Sequence, residues 1–181
     1  PFEFFSAPGR TEISGNHTDH NSGKILAGSI HLDTIAAAGK NNSDQIRMIS
    51  ATYHQDMTIS LDDLERTSAT SGTGPLLKGI LDGFKKHGHK IGGFDVYTTT
   101  NVIGAAGVSS SASFEMLICT IVNYLFNDGK LDISEYAQIG KYAENNFWNK
   151  QSGLLDQMAC AAGGIVTIDF KDQANPVLEK L

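Results

Sequence analysis

A run of small residues, Gly104-Ala105-Ala106-Gly107-Val108-Ser109-Ser110-Ser111-Ala112, leads directly into the apolar stretch Phe114 to Phe126. The first N–H groups of a helix have no internal partner, and the macrodipole adds positive potential at the same end. Small side chains let phosphate groups approach the backbone. The serine hydroxyls add donors, and one of them can turn toward a metal ion. The segment lacks the G-x-x-x-x-G-K-[ST] pattern of an ordinary P-loop. The same residues also suit a serine N-cap with small side chains for close helix packing, and the segment alone leaves both readings open.

Two carboxylates stand out. Asp132 and Glu135 form a capping-box pattern that opens a helix reaching about Asn145. Along it, Ile133, Ala137 and Gly140 share one stripe, and at about 100° per residue Glu144 falls on the same stripe. A carboxylate there points inward, near a helix C-terminus where the dipole disfavours an anion. It needs a partner such as a bound cation, unless the last turn frays and leaves it in water. Asp156 follows the Gly153 turn between Leu154, Leu155 and Met158. It suits either the edge of a cleft or a helix cap.

Arg10, after Pro8-Gly9, ends an extended segment and could project into a site. His17-Thr18-Asp19-His20 has no further ligand set at metal spacing, so a polar ligand-binding loop fits it better than zinc. Cys119 and Cys160 lie among small and apolar residues and read as buried free thiols of a protein in a reducing cytoplasm.

The elements that must position these groups follow from periodicity. Strands are expected at Phe2 to Phe5, Ile25 to Ala38, Gln45 to Ser50, Met57 to Leu61, Phe94 to Thr100 and Ile165 to Phe170. Pro75 can sit in the first turn of a helix whose Leu77, Ile80, Leu81 and Phe84 share a face, with Lys85 to Gly88 as stop signals. The run Phe114 to Phe126 suits a buried helix, and Gly153 to Ala162 a short helix or turn. Strands come in runs before helices, which favours α+β over a doubly wound sheet. With 181 residues, 40% of them hydrophobic, the chain suits one domain with a real core. A net charge of −6 argues against a general nucleic-acid binder but not against a bound nucleotide. No stretch approaches the roughly 18 apolar residues of a membrane span.

Three segments in order resemble the GHMP kinase superfamily, and galactokinases within it. Ala7-Pro8-Gly9-Arg10 followed by Gly15-Asn16-His17-Thr18-Asp19 resembles A-P-G-R-x-N-x-x-G-E-H-T-D-Y. Ala106 to Ser113 resembles the phosphate motif A-G-L-S-S-S-A-S. Ala143-Glu144-Asn145 followed by Ser152-Gly153-Leu154-Leu155-Asp156-Gln157 resembles A-E-x…C-G-x-M-D-Q. The resemblance implies the N-terminal domain of a two-domain kinase across residues 1–181, with the ribosomal-protein-S5-like α+β fold, and a C-terminal domain elsewhere in the parent chain. It implies ATP and Mg²⁺, and a monosaccharide, most simply galactose, phosphorylated at its anomeric hydroxyl. It makes Asp156 the catalytic base or orienting group and Arg10 the residue that stabilises transferring charge. It gives Ser111 and Glu144 to the metal. It gives Ala105, Ala106, Gly107, Val108, Ser109, Ser110 and Ser111 to the ATP phosphates. Asn16, His17, Thr18, Asp19 and Gly153 go to the sugar.

The sequence departs from the pattern at several positions. Glu12 stands for the family's asparagine, Asn16 for its sugar-binding glutamate, and His20 for its tyrosine; Ile103, Ala105 and Val108 replace Pro, Gly and Leu. Asn16 matters most, because a charged acceptor has become an amide that also donates. It leaves open a kinase of another sugar, such as arabinose, a uronic acid or an N-acetylhexosamine. A different class, a sugar- and ATP-sensing regulator without turnover, fits less well because Ser111-Ala112 are present.

Overall fold

The computed structural model describes residues 1–15, 21–69 and 71–181. A 17-residue strand, β2 (Lys24–Lys40), is the spine of its seven-stranded sheet. Along one edge of it runs β1 (Glu3–Ser14), antiparallel from Glu3 opposite Ala38 to Ser14 opposite Leu26. The other edge is shared: β5 (Phe94–Thr100) pairs with Thr34 to Lys40, and β6 (Ile165–Asp169) with Lys24 to Gly28, both antiparallel. Next to β5 lies β3 (Gln45–Ser50), in parallel; β4 (Gln55–Ser60) and β7 (Val177–Lys180) close the two ends.

Four helices are described: α1 (Thr73–Lys86), α2 (Ser110–Phe126), α3 (Ile133–Phe147) and α4 (Leu155–Ala162). Strand residues alternate between faces. Phe94, Val96 and Thr98 are buried while Tyr97 is half exposed, and Ile46 and Met48 share the buried side. That side packs with Leu77, Ile80, Leu81 and Phe84, the expected stripe of α1, and with the apolar α2. Each such side chain contributes about 1.5–3 kcal/mol on burial. A second cluster joins Ile25, Ala27, Val166 and Ile168 of the sheet to Leu155, Met158 and Ala159 of α4. Within the core, Ser113 Oγ lies 2.8 Å from both the Ala7 carbonyl and Thr34 Oγ1, which ties α2 to β1 and β2.

The α+β expectation holds, and the capping box of Asp132 and Glu135 is formed. Three features differ. β1 continues past Pro8-Gly9 to Ser14, because an irregularity in register between Pro8 and Arg10 absorbs the proline's missing donor. α2 begins at Ser110, so Ser110, Ser111 and Ser113 are helical, while Ser109 is its left-handed N-cap. β7 was not expected; four residues after Pro176, two of them charged, are too few for a strand period to emerge. Among the described residues, no helix is long and apolar enough to cross a membrane. Cys119 and Cys160 are free and buried.

Candidate active site

The loop before α2 is bent by left-handed backbone. Ala105, Gly107 and Ser109 have φ of 58°, 74° and 57°. For Ala105 and Ser109 this conformation costs about 1–3 kcal/mol each, a strain that clusters at functional sites. Ser109 is the N-cap of α2, yet no side chain caps the helix. The serine N-cap reading of the sequence therefore falls. The first turn of α2 takes no side-chain cap, and a helix start of that kind favours an anion.

Gly9 explains how β1 meets this loop. A Cβ there would lie 2.8 Å from the Val108 carbonyl oxygen and 2.9 Å from Val102 Cγ1. Only glycine permits the approach. The next residue uses it: Arg10 N–H donates to Val108 O at 3.1 Å, and Arg10 Nη1 to Gly107 O at 3.1 Å. The rest of the guanidinium reaches α4. Nε and Nη2 donate to Asp156 Oδ1 at 2.9 and 2.7 Å. Asp156 lies in the first turn of α4 but does not cap it; its side chain is 28% exposed, against 7% for Arg10. The helix-cap alternative for Asp156 is thereby replaced by an ion pair with Arg10 beside the loop that precedes α2.

Glu144 is 1% exposed on the inward stripe of α3. Ser111 Oγ donates to its Oε1 at 3.0 Å, and Lys150 Nζ donates to the same oxygen at 2.9 Å. Oε2 is buried without a hydrogen-bond partner. Behind it lies Glu115, a fully buried carboxyl of α2, whose Oε2 accepts from Gln157 Nε2 at 3.1 Å. Burial pushes the Glu115 carboxyl well above the usual carboxylate range, and the neighbouring Glu144 charge pushes the same way. A protonated Glu115 hydrogen-bonded to Glu144 accounts for the bare Glu144 Oε2 and the bare Glu115 Oε1 together. Gly140 makes the room, since a Cβ there would lie 2.7 Å from Glu115 Oε2.

Glu115, Gln157 and Lys150 were not singled out from the sequence. Glu115 did carry a signal, a lone carboxylate inside the apolar run of α2. Gln157 closes the D-Q end of the family motif without a role read from it, and Lys150 carried no signal beyond its nearness to Glu144.

Glu144 Oε1 and Ser111 Oγ, 3.0 Å apart, are hard oxygen atoms of the kind Mg²⁺ takes as ligands, whereas the Lys150 ammonium on the same carboxylate oxygen is not a ligand. Among the described residues, no cluster of three His, Cys, Asp or Glu side chains would hold a metal unaided. A cavity of 260 Å³ opens beside Ser110 and Ser111, walled by Tyr53, Leu76, Phe114 and Trp148. Gly153 lines a separate cavity with Lys141, Ser152 and Phe170. Asn16, His17, Thr18, Asp19 and His20 lie outside the described residues.

Two family models match the chain: "GHMP kinases N terminal domain" over residues 75–164, and "Galactokinase galactose-binding signature" over residues 1–40. The chain belongs to the GHMP kinase family and carries the fold of its N-terminal domain. Within that family its likeness is to galactokinases. It is 33% identical to a galactokinase of Clostridium tetani over 159 residues, covering 88% of this chain and 40% of the relative. It is 38% identical to one of Streptococcus mutans over 162 residues, covering 88% and 41%. The crystal structure of Lactococcus lactis galactokinase complexed with galactose superposes with a TM-score of 0.89 at 26% identity, over 99% of this chain and 47% of that one. The chain thus spans about two fifths of the length of these curated relatives.

Proposed function

We infer that this chain forms one wall of the active site of an ATP-dependent sugar kinase that phosphorylates galactose at its anomeric hydroxyl, in the cytoplasm. The observation that carries the reading is the Arg10–Asp156 pair, held against the phosphate loop at the uncapped start of α2. The curated relatives are galactokinases, and the Lactococcus lactis structure contains galactose. Since the chain spans about two fifths of those relatives, the remainder of the protein supplies the opposite wall of the cleft as a C-terminal domain.

In this reading Ala105 to Ser111 cradle the ATP phosphates, and the cavity between Tyr53, Phe114 and Trp148 takes the nucleoside end. Ser111 and Glu144 hold Mg²⁺, which supplies charge neutralisation at the phosphates. The family resemblance gives Asn16 to Asp19 and Gly153 to the sugar. Both Arg10 bonds fall on Oδ1 of Asp156, so Oδ2 is the oxygen that receives the sugar hydroxyl. The anomeric oxygen attacks the γ-phosphorus as the bond to the β–γ bridging oxygen breaks. The hydroxyl proton passes to Asp156, and ADP leaves. Such transfer asks the protein mainly for positioning and charge stabilisation. Arg10 fixes Asp156 and spreads positive charge along the loop. The complete protein that carries this chain, given ATP, Mg²⁺ and a sugar panel, should release ADP with galactose and yield a 1-phosphate by ³¹P NMR. Binding of sugar and ATP without ADP release from any sugar would replace the kinase reading with a sensor.

A further inference from the structure

Lys150 occupies a position that no motif assigns. It belongs to the turn that ends α3. Asn149 is left-handed, with φ of 52°, and Lys150 N–H folds back to donate to the Glu144 carbonyl at 3.1 Å. Backbone and side chain of Lys150 therefore both converge on Glu144, the side chain with Nζ 2.9 Å from Oε1. The carboxylate is buried, whereas the lysine side chain is 48% exposed. This is a built contact with one movable end.

Its chemistry conflicts with that of a divalent cation. Glu144 Oε2 is shut off from solvent and backed by Glu115. Oε1 is the oxygen that meets the half-exposed Lys150, and Ser111 Oγ already takes one side of it. A Mg²⁺ ion about 2.0–2.1 Å from that oxygen would need the space and the charge that the ammonium now holds. Both cations cannot sit there. A lysine that leaves Glu144 remains tethered beside Ser111, at the uncapped α2 N-terminus where phosphates gather. A compact ammonium on a flexible four-carbon stem makes that exchange at little cost.

We propose that Lys150 is an exchangeable counter-ion that couples metal binding to nucleotide binding: it holds Glu144 until a polyphosphate arrives, then passes to the phosphates as the divalent cation takes the carboxylate oxygen. The proposal rests on the nucleotide-binding reading of this site. Its consequence is that metal alone binds weakly, and metal with nucleotide binds well.

The test uses the complete protein, with Mn²⁺ counted by electron paramagnetic resonance in the absence of nucleotide. Non-hydrolysable ATP analogue binding is measured separately in EDTA. Lys150→Met should bind Mn²⁺ alone about tenfold more tightly than wild type, at the low end of what a group beside a metal ligand changes. It should bind the metal-free analogue several-fold more weakly, because a bare Glu144 then faces the phosphates. Lys150→Arg keeps the charge and should behave like wild type in both measurements. Mn²⁺ affinity unchanged or weakened in Lys150→Met overturns the proposal. So does a parallel loss of both affinities with a lowered melting temperature, which marks a merely structural lysine. Wild type that binds neither Mn²⁺ nor the analogue overturns the site reading itself, and the proposal with it.

Discussion

Arg10 places two hydrogen bonds on a single oxygen of Asp156, Nε at 2.9 Å and Nη2 at 2.7 Å from Oδ1. An end-on fork of this kind fixes the carboxylate and keeps the guanidinium off its other oxygen. Asp156→Asn keeps the shape and removes the charge. In the complete protein it should lower kcat by about 10²–10⁴, the usual worth of a general base. The nucleotide dissociation constant should move little. Steady-state kinetics with a parallel binding titration decides it; a near-wild-type kcat would remove Asp156 from the chemistry.

Glu144 and Ser111 meet on one oxygen at 3.0 Å. If that oxygen receives the divalent cation, Glu144→Gln should raise the Mg²⁺ concentration for half-maximal activity by at least about tenfold, and Ser111→Ala by less. Activity measured across a Mg²⁺ series at saturating nucleotide is the check. Curves that superpose on wild type would leave the pair with a packing role alone.

Asn16 stands where galactokinases carry a glutamate. Restoring the carboxylate with Asn16→Glu strengthens one bond to a sugar hydroxyl by roughly 1–2 kcal/mol. That should raise kcat/KM for galactose relative to other sugars by about 5- to 30-fold. An unchanged ranking across the panel would show that position 16 does not read the sugar.

Glu115 makes stability depend on pH. Its ordinary value is 4.5, and in the fold burial first, then Glu144, pushes it well above that. Between the two values the folded chain keeps a proton that the unfolded chain has released. Raising the pH there favours unfolding. The contribution is complete below about pH 4.5 and is lost as pH climbs through the folded value. Glu115→Gln mimics the neutral acid without the titration. In EDTA, urea midpoints should show the variant gaining on wild type as the pH rises above about 4.5; a constant offset would mean that Glu115 is not protonated in the fold.

Much of this site is legible in the chain. Glu144 betrays itself by lying on an apolar stripe, and the serine loop by its small residues ahead of an apolar helix. Arg10 and Asp156 stand out by their turns, and the motif likeness gives them their roles. What one dimension hides is the meeting of parts. Nothing in the run Phe114 to Phe126 says that its one carboxylate backs onto Glu144, because that depends on how α2 and α3 pack and on the space left at Gly140. Nothing in the local sequence aims Lys150 at Glu144, since the turn at Asn149 does so through backbone conformation. β1 is obscured for another reason. Pro8-Gly9 reads as punctuation until the Val108 carbonyl is seen to need the gap at Gly9.

The long spine of β2 also has a bearing on synthesis. Its pairing with β1 is a local antiparallel hairpin that can form as soon as about forty residues have emerged, whereas contacts distant in sequence close late. Arg10 belongs to that early hairpin, but its partner Asp156 follows 146 residues behind. On a ribosome adding about 5–20 residues per second, the guanidinium waits on the order of ten seconds for its carboxylate. A truncated chain that stops before α4 would bury much of the same sheet yet leave a charged side chain inside it with no counterpart. Quality control could recognise such a product by that stranded charge.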